Sequence, residues 1–253
     1  VNDCRRPVWM LSAHPDGPST IVNGECAGML LPDYFARAGH SVFGTDCAGF
    51  PDFPVLIKLI DAKGKLSVQV HPDDAYARAH GELFGKTEMW YIIANEPGAS
   101  LYYGFNHKIT KDEFKKRIKE NTIEEVLNKV PVHPGDVFFI ESRTLHAIGA
   151  GILLAEIQQS SNLTYRIYDY ASAKTGSRAS CISRRRSMLR ALTAPHGRRI
   201  HRGAEKSLAA ARAYFSLRVI FSQYMKWKSM SSSLTRTKKA LILLYVSAVK
   251  QNC

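Results

Sequence analysis

LSVQVHPDD, residues 66–74, alternates apolar and polar side chains as a half-buried β-strand does. Successive side chains of a strand point to opposite faces, so Leu66, Val68 and Val70 share one face and Ser67, Gln69 and His71 the other. The apolar set can enter a core. The polar set then lines either water or a site.

Outward from this stretch, the chain as far as Tyr170 reads as short strands separated by turns. LIKLIDA (56–62), MWYIIA (89–94), SLYYGF (100–105), DVFFI (136–140) and ILLAEIQ (152–158) are rich in β-branched and aromatic residues. Lys63-Gly64-Lys65, Pro97-Gly98 and Pro134-Gly135 supply turns between them. One segment departs from the pattern, ITKDEFKKRIKENTIEEVLNK (109–129). There Thr110 and Glu113 form a capping box, Phe114 and Ile118 share a helical face, and Thr122 with Glu125 repeats the box for a second short helix. The spacing predicts a mainly β body over residues 1–170, with a short helical insertion at 109–129.

Composition narrows the function class. At 253 residues, 45% hydrophobic and 23% charged, the chain is ordinary for a globular protein. Five Cys without a CxxC argue against a disulfide framework or a thiolate zinc site and fit a reducing, cytoplasmic location. No secretory signal is recognisable at Val1, and the longest apolar run, ALILLYVSAV (240–249), is about half of the roughly 20 residues a bilayer needs. The net charge of +13 would suggest nucleic acid, but its distribution removes that reading. Residues 1–170 hold 17 Lys+Arg against 21 Asp+Glu, and residues 171–253 hold 18 against one, Glu205. All the excess basicity therefore lies beyond Tyr170.

Chemistry gathers around the polar face of the opening strand. Gln69, His71, Glu88 and His146 form an oxygen and nitrogen donor set suited to a borderline divalent ion such as zinc. Two neutral imidazoles, an amide oxygen and one carboxylate would leave a zinc site with net charge near +1, suited to polarising a substrate oxygen. Each residue alone has a plainer reading: a surface or core histidine, a solvated glutamate at a strand start, an exposed loop lysine at Lys86. Order and spacing lift the set above those readings. Gly64, four residues rather than the motif's five before Gln69-Val70-His71, then Glu88 and Gly98 follow the first cupin motif with Gln for its first His, and Gly135 with His146 follows the spacing of the second.

Over residues 9–170 the sequence resembles the type I mannose-6-phosphate isomerase family. WMLSAHPDGPST, FPVLIKLIDAKGKLSVQVHPDD, GKTEMWYII, PGDVFFIESRTLHAIG and QQSSNLTYRIYDY carry the resemblance, in order. It implies a cupin jelly-roll barrel and a zinc-dependent isomerase interconverting mannose 6-phosphate and fructose 6-phosphate, with one Zn2+ per chain. By the same resemblance Gln69, His71, Glu88 and His146 are the zinc ligands, and Lys65, Ser67 and Lys86 line the sugar-phosphate pocket. Glu156 and Arg166 match the family's acidic and arginine positions at the active site. Aldose–ketose isomerisation passes through an enediol and needs a base, a proton relay and stabilised oxygen charge. The base is Glu156, a lysine or a metal-activated water; the residues do not choose among them. A metal- or sugar-binding cupin without turnover is the alternative from another class.

Two departures stand out. The family's Pro-x-Gly before the second His is Glu141-Ser142-Arg143 here. If position 143 needs φ > 0, Arg there is strained by roughly 1–2 kcal/mol, with His146 displaced as the expected consequence. The strands that precede Trp9 in the family are also missing, which reads as an N-terminally incomplete chain.

Beyond Tyr170 the family continues with a segment similar to GKxRELHxEKALD and a second, smaller cupin domain. Written in GC-leaning codons and read one frame over, ASAKTGSRASCISRRRSML (171–189) yields RQDGKPRELHIEKALDV, which resembles that segment. Residues 171–253 therefore read as a basic tail from out-of-frame translation, disordered or poorly folded, rather than a nucleic-acid-binding arm. The expected partner is a small sugar phosphate, with neither nucleic acid nor membrane.

Overall fold

β-branched and aromatic side chains fit a pleated, half-buried surface, and strands dominate accordingly. The computed structural model describes residues 7–43, 47 and 49–170. In chain order these form β1 (Val8–Leu11), α1 (Leu31–Ala38), β2 (Val55–Ala62), β3 (Val68–Val70), α2 (Asp74–Arg78), β4 (Glu88–Asn95), β5 (Ser100–Phe105), α3 (Lys111–Lys119), β6 (Leu127–Pro131), β7 (Val137–Ile140), β8 (His146–Ala147), β9 (Ile152–Gln159) and β10 (Tyr165–Tyr168). The tail expected at 171–253 lies outside the described residues.

The chain divides into two compact units, one holding the described residues from Leu59 onward and the other residues 9–58. In the first, β9, β4 and β7 lie side by side in one sheet, and the second half of β2 flanks β9. The other sheet has the order β10-β3-β8-β5-β6, and its neighbours pair antiparallel, as β4 does with β7 and β9 in the first. Trp90, Ile92, Phe138, Ile140 and Leu154 of the first sheet pack with Leu101, Tyr103 and Val130 of the second in one buried cluster. This is the mainly β, two-sheet cupin jelly roll that the sequence predicts.

The outer face of the second sheet has a core of its own. Val68, Val70, Tyr102, Ala147 and Ile167 pack there against Phe114, Ile123 and Val126 of the helical insertion. Gln69 and His146, one residue out of phase with these, take the opposite, inner face. Leu66 does not join Val68 and Val70 as expected. It packs against the inner cluster instead, because β3 begins only at Val68 and strict alternation does not reach back to 66.

The insertion is shorter than the sequence suggests. Thr110 caps α3 as expected, its hydroxyl accepting from the Glu113 N–H at 3.1 Å. Thr122 makes no side-chain cap, and Ile123–Val126 forms one 3-10 turn rather than a helix. Residues 127–129, expected to be helical, belong to β6, where Leu127 and Val130 each reach a buried cluster. Tertiary pairing with β5 overrides the local helical signal there.

In the smaller unit, α1 starts from Leu30 with Pro at its first turn, and Phe35 meets Phe43 and Phe53 with ring centroids 4.8 and 5.0 Å away. Lys58 lies over the Trp9 ring at 5.2 Å.

Candidate metal centre

Three elements bring the metal-binding types together. His71 leaves the end of β3, Glu88 opens β4, and His146 opens β8. All three are buried, and their candidate ligand atoms lie within 4.8 Å of one another. Glu88 Oε1 is 3.1 Å from His146 Nε2, and Glu88 Oε2 is 3.5 Å from His71 Nε2.

The second nitrogen of each imidazole fixes what the first can do. His71 Nδ1 is 2.9 Å from the Leu163 carbonyl and His146 Nδ1 is 2.8 Å from the Thr144 carbonyl. A carbonyl only accepts, so each Nδ1 carries the proton and each Nε2 presents a lone pair inward. That is the outer-sphere arrangement that metal-ligating histidines use. Glu88 Oε1 and His146 Nε2 are buried without a hydrogen bond in proper geometry, which is costly unless a cation satisfies them, whereas Glu88 Oε2 meets the Lys86 ammonium.

Gln69 sits opposite His146 across β3 and β8, and Arg166 of β10 sits opposite Gln69 on its other side. Directly opposed residues of an antiparallel pair share a face, so Arg166, Gln69 and His146 form a row across the sheet. Among the described residues, no hydrogen bond is made by the side chains of Ser67, Gln69 or Arg166. On the facing sheet, Glu156 lies opposite Trp90, whose Nε1–H donates to Glu156 Oε1 at 3.2 Å. Glu88, opposite Gln158, is two residues from Trp90 and shares its face. The Trp90 ring meets His146 edge-on at 5.3 Å.

Lys86 is the buried cation of this group. Its Nζ lies 3.1 Å from Glu88 Oε2 and 3.2 Å from His71 Nε2. Burial disfavours the ammonium, but the Glu88 and Glu156 carboxylates outweigh it and raise the Lys86 pKa. Burial likewise pushes Glu88 up, and the Lys86 charge beside it reverses this, holding it well below the usual carboxylate range. Burial, reinforced by Lys86, holds His71 well below 6.5, so its imidazole is neutral and competent as a ligand.

Lys65 is placed differently from Lys86. Its Nζ is 2.8 Å from each oxygen of Glu124 in the helical insertion and lies over the Tyr170 ring at 5.3 Å. Tyr102 donates to the same carboxylate at 2.9 Å.

The supports of the centre were silent in the sequence. The Lys86 N–H donates to the Pro72 carbonyl at 2.9 Å, and the Gly85 N–H to Asp74 Oδ1 at 2.8 Å. Gln159 donates to that same Asp74 oxygen at 2.9 Å and accepts from the Thr87 N–H at 2.8 Å. Loop 71–74 is thereby fastened to loop 85–88, and both to the end of β9. Arg143 does take φ of 70°, as feared from its replacing a glycine, yet His146 remains within reach of Glu88.

Residues 3–108 match the model of the phosphomannose isomerase type I catalytic domain. The chain is 40% identical over 225 residues to a probable mannose-6-phosphate isomerase of Bacillus subtilis, covering 87% of this chain and 69% of that protein. It is 44% identical over 162 residues to the mannose-6-phosphate isomerase of Streptococcus mutans, covering 64% of this chain and 50% of that one. Among solved structures, the Bacillus subtilis mannose 6-phosphate isomerase superposes with a TM-score of 0.57 at 42% identity, over 64% of this chain and 51% of that one. A putative mannosephosphate isomerase from Archaeoglobus fulgidus gives 0.58 at 28%, over 66% and 56%. The chain thus spans about half the length of several relatives it matches.

Proposed function

The chain belongs to the type I phosphomannose isomerase family, and from that premise we propose that it interconverts mannose 6-phosphate and fructose 6-phosphate at a zinc centre. The observation that carries the reading is the buried triad His71, Glu88 and His146, with each Nδ1 tied to a carbonyl and each Nε2 turned inward.

Gln69, His71, Glu88 and His146 would hold the ion, which when bound supplies Lewis-acid polarisation of sugar oxygens. The rest falls to the chain. Isomerisation removes the C2 proton of the aldose while the C1 carbonyl oxygen gains a proton, giving the enediol. Return of a proton to C1 with loss of the O2 proton then gives the ketose, so atoms and charge balance. Glu156, buried and oriented by Trp90 Nε1, is our choice for the group that takes and returns the carbon-bound proton. Lys86, kept cationic by two carboxylates, and Arg166 would offset the charge that builds on the enediol oxygens. Ser67 is available to the phosphate, whereas Lys65 can serve it only by leaving Glu124.

Proton exchange tests the chemistry. The zinc-loaded chain, incubated with mannose 6-phosphate in D2O, should incorporate deuterium at C2 of the aldose and C1 of the ketose, followed by NMR. Zinc bound at one equivalent with neither product nor exchange would overturn isomerisation. It would leave a metal- or sugar-binding module, a reading that the half-length match to several relatives also admits.

A further inference from the structure

The loop that delivers His146 contains a residue in an unfavourable conformation. Arg143 has φ of 70°, in the region glycine adopts freely and L-residues adopt at a cost. A glycine would relieve the cost but would have no side chain. The arginine makes two attachments, both to the segment that carries His71. Its backbone N–H donates to the His71 carbonyl at 2.7 Å, and its guanidinium Nη2 lies 2.5 Å from Asp73 Oδ2. Asp73 is itself anchored, because its other oxygen accepts from the Tyr76 N–H at 2.8 Å and caps α2. The Thr144 carbonyl that orients His146 follows Arg143 directly.

We propose that Arg143 is a positioning residue for the metal centre, clamping the His146 loop to the His71 loop through Asp73 and so fixing the spacing of the two imidazoles. The inference rests on the metal-centre reading above. The plainer view is that a half-exposed ion pair does nothing measurable, and the two sites of attachment to one ligand-bearing segment weigh against it. A pair of this exposure limits the effect to about two- to fivefold in metal affinity.

The test uses the full chain and reads three quantities on the same preparations: zinc affinity by competition with a chromophoric chelator, the visible spectrum of the cobalt(II) form, and the thermal midpoint without metal. Arg143→Gly should keep or raise the midpoint, since it relieves the backbone. It should nevertheless weaken zinc about two- to fivefold and alter the cobalt bands. Asp73→Asn, which retains a competent cap, should give the same loss, and the double variant should lose no more. Arg143→Lys should recover part of the affinity. Equal zinc affinity and identical cobalt spectra in Arg143→Gly and wild type would overturn the clamp, as would losses that multiply in the double variant. Failure of the wild-type chain to bind either metal would instead overturn the metal-centre reading and the clamp with it.

Discussion

Gly85→Ala tests whether the centre depends on how closely two loops approach. A methyl group at position 85 would lie 2.4 Å from the Asp73 carbonyl carbon, 2.6 Å from the Asp74 nitrogen and 2.7 Å from the Pro72 oxygen. All three are backbone atoms, so no side chain can swing aside. Ordinary contact begins at 3.4 Å, and 3.4 − 2.4 gives a required displacement of about 1 Å. That movement pulls apart the hydrogen bonds Lys86 N–H to Pro72 O and Gly85 N–H to Asp74 Oδ1. Overpacking costs about 1–3 kcal/mol and each lost bond about 0.5–1.5, for a total of roughly 2–6 kcal/mol. For a protein of this size the thermal midpoint should fall by at least about 4 °C. Because loop 85–88 carries Lys86 and Glu88, zinc affinity should fall by about tenfold as well, the lower end for an outer-sphere partner. Calorimetry and chelator competition read the two effects. A variant that melts within about 1 °C of wild type and binds zinc equally well would show that the centre tolerates separation of the two loops.

Glu88→Gln keeps the shape of the ligand but removes its charge; zinc affinity should fall by more than the roughly 10–100-fold typical of an outer-sphere change, measured by the same competition. The Glu124 carboxyl is pushed up by burial but more strongly held down by Lys65, Tyr170 and Tyr102, so its folded value lies below the ordinary 4.5. Its contribution is therefore complete above 4.5 and lost as pH falls through the lower folded value, and Glu124→Gln should flatten the acid limb of a stability–pH curve. An unchanged acid limb would show that the Lys65 pair contributes nothing. Thr110→Ala should destabilise by about 1 kcal/mol through loss of the α3 cap, read from the urea midpoint.

The sequence makes much of this legible, and what it hides has physical causes. β2, β4, β5, β7 and β9 announce themselves because β-branched and aromatic residues fill them between clear turns. β6 is obscured because Thr122 and Glu125 mimic a capping box, and only its pairing with β5 decides the matter. β8 has two residues, too few for any periodicity. In the centre, His71, Glu88 and His146 stand out because their order and spacing follow a template. Their supports do not. The Leu163, Thr144 and Pro72 carbonyls are main-chain groups that every residue possesses, and Asp74 and Gln159 look like ordinary polar residues until the fold joins them. The strain expected at Arg143 is present, but the guanidinium's attachment to Asp73 could be seen only in three dimensions.

If the buried His71–Glu88–His146 group holds the ion that isomerisation needs, turnover follows zinc occupancy. The most direct test is to dialyse the chain against a chelator, titrate zinc back, and measure bound zinc and fructose 6-phosphate formation on the same samples. Activity should rise in step with zinc and saturate at one equivalent per chain, and neither signal should appear in the His71→Ala, His146→Ala double variant. Full activity in metal-free protein, or zinc bound as tightly by the double variant, would show that this group is not the catalytic metal centre.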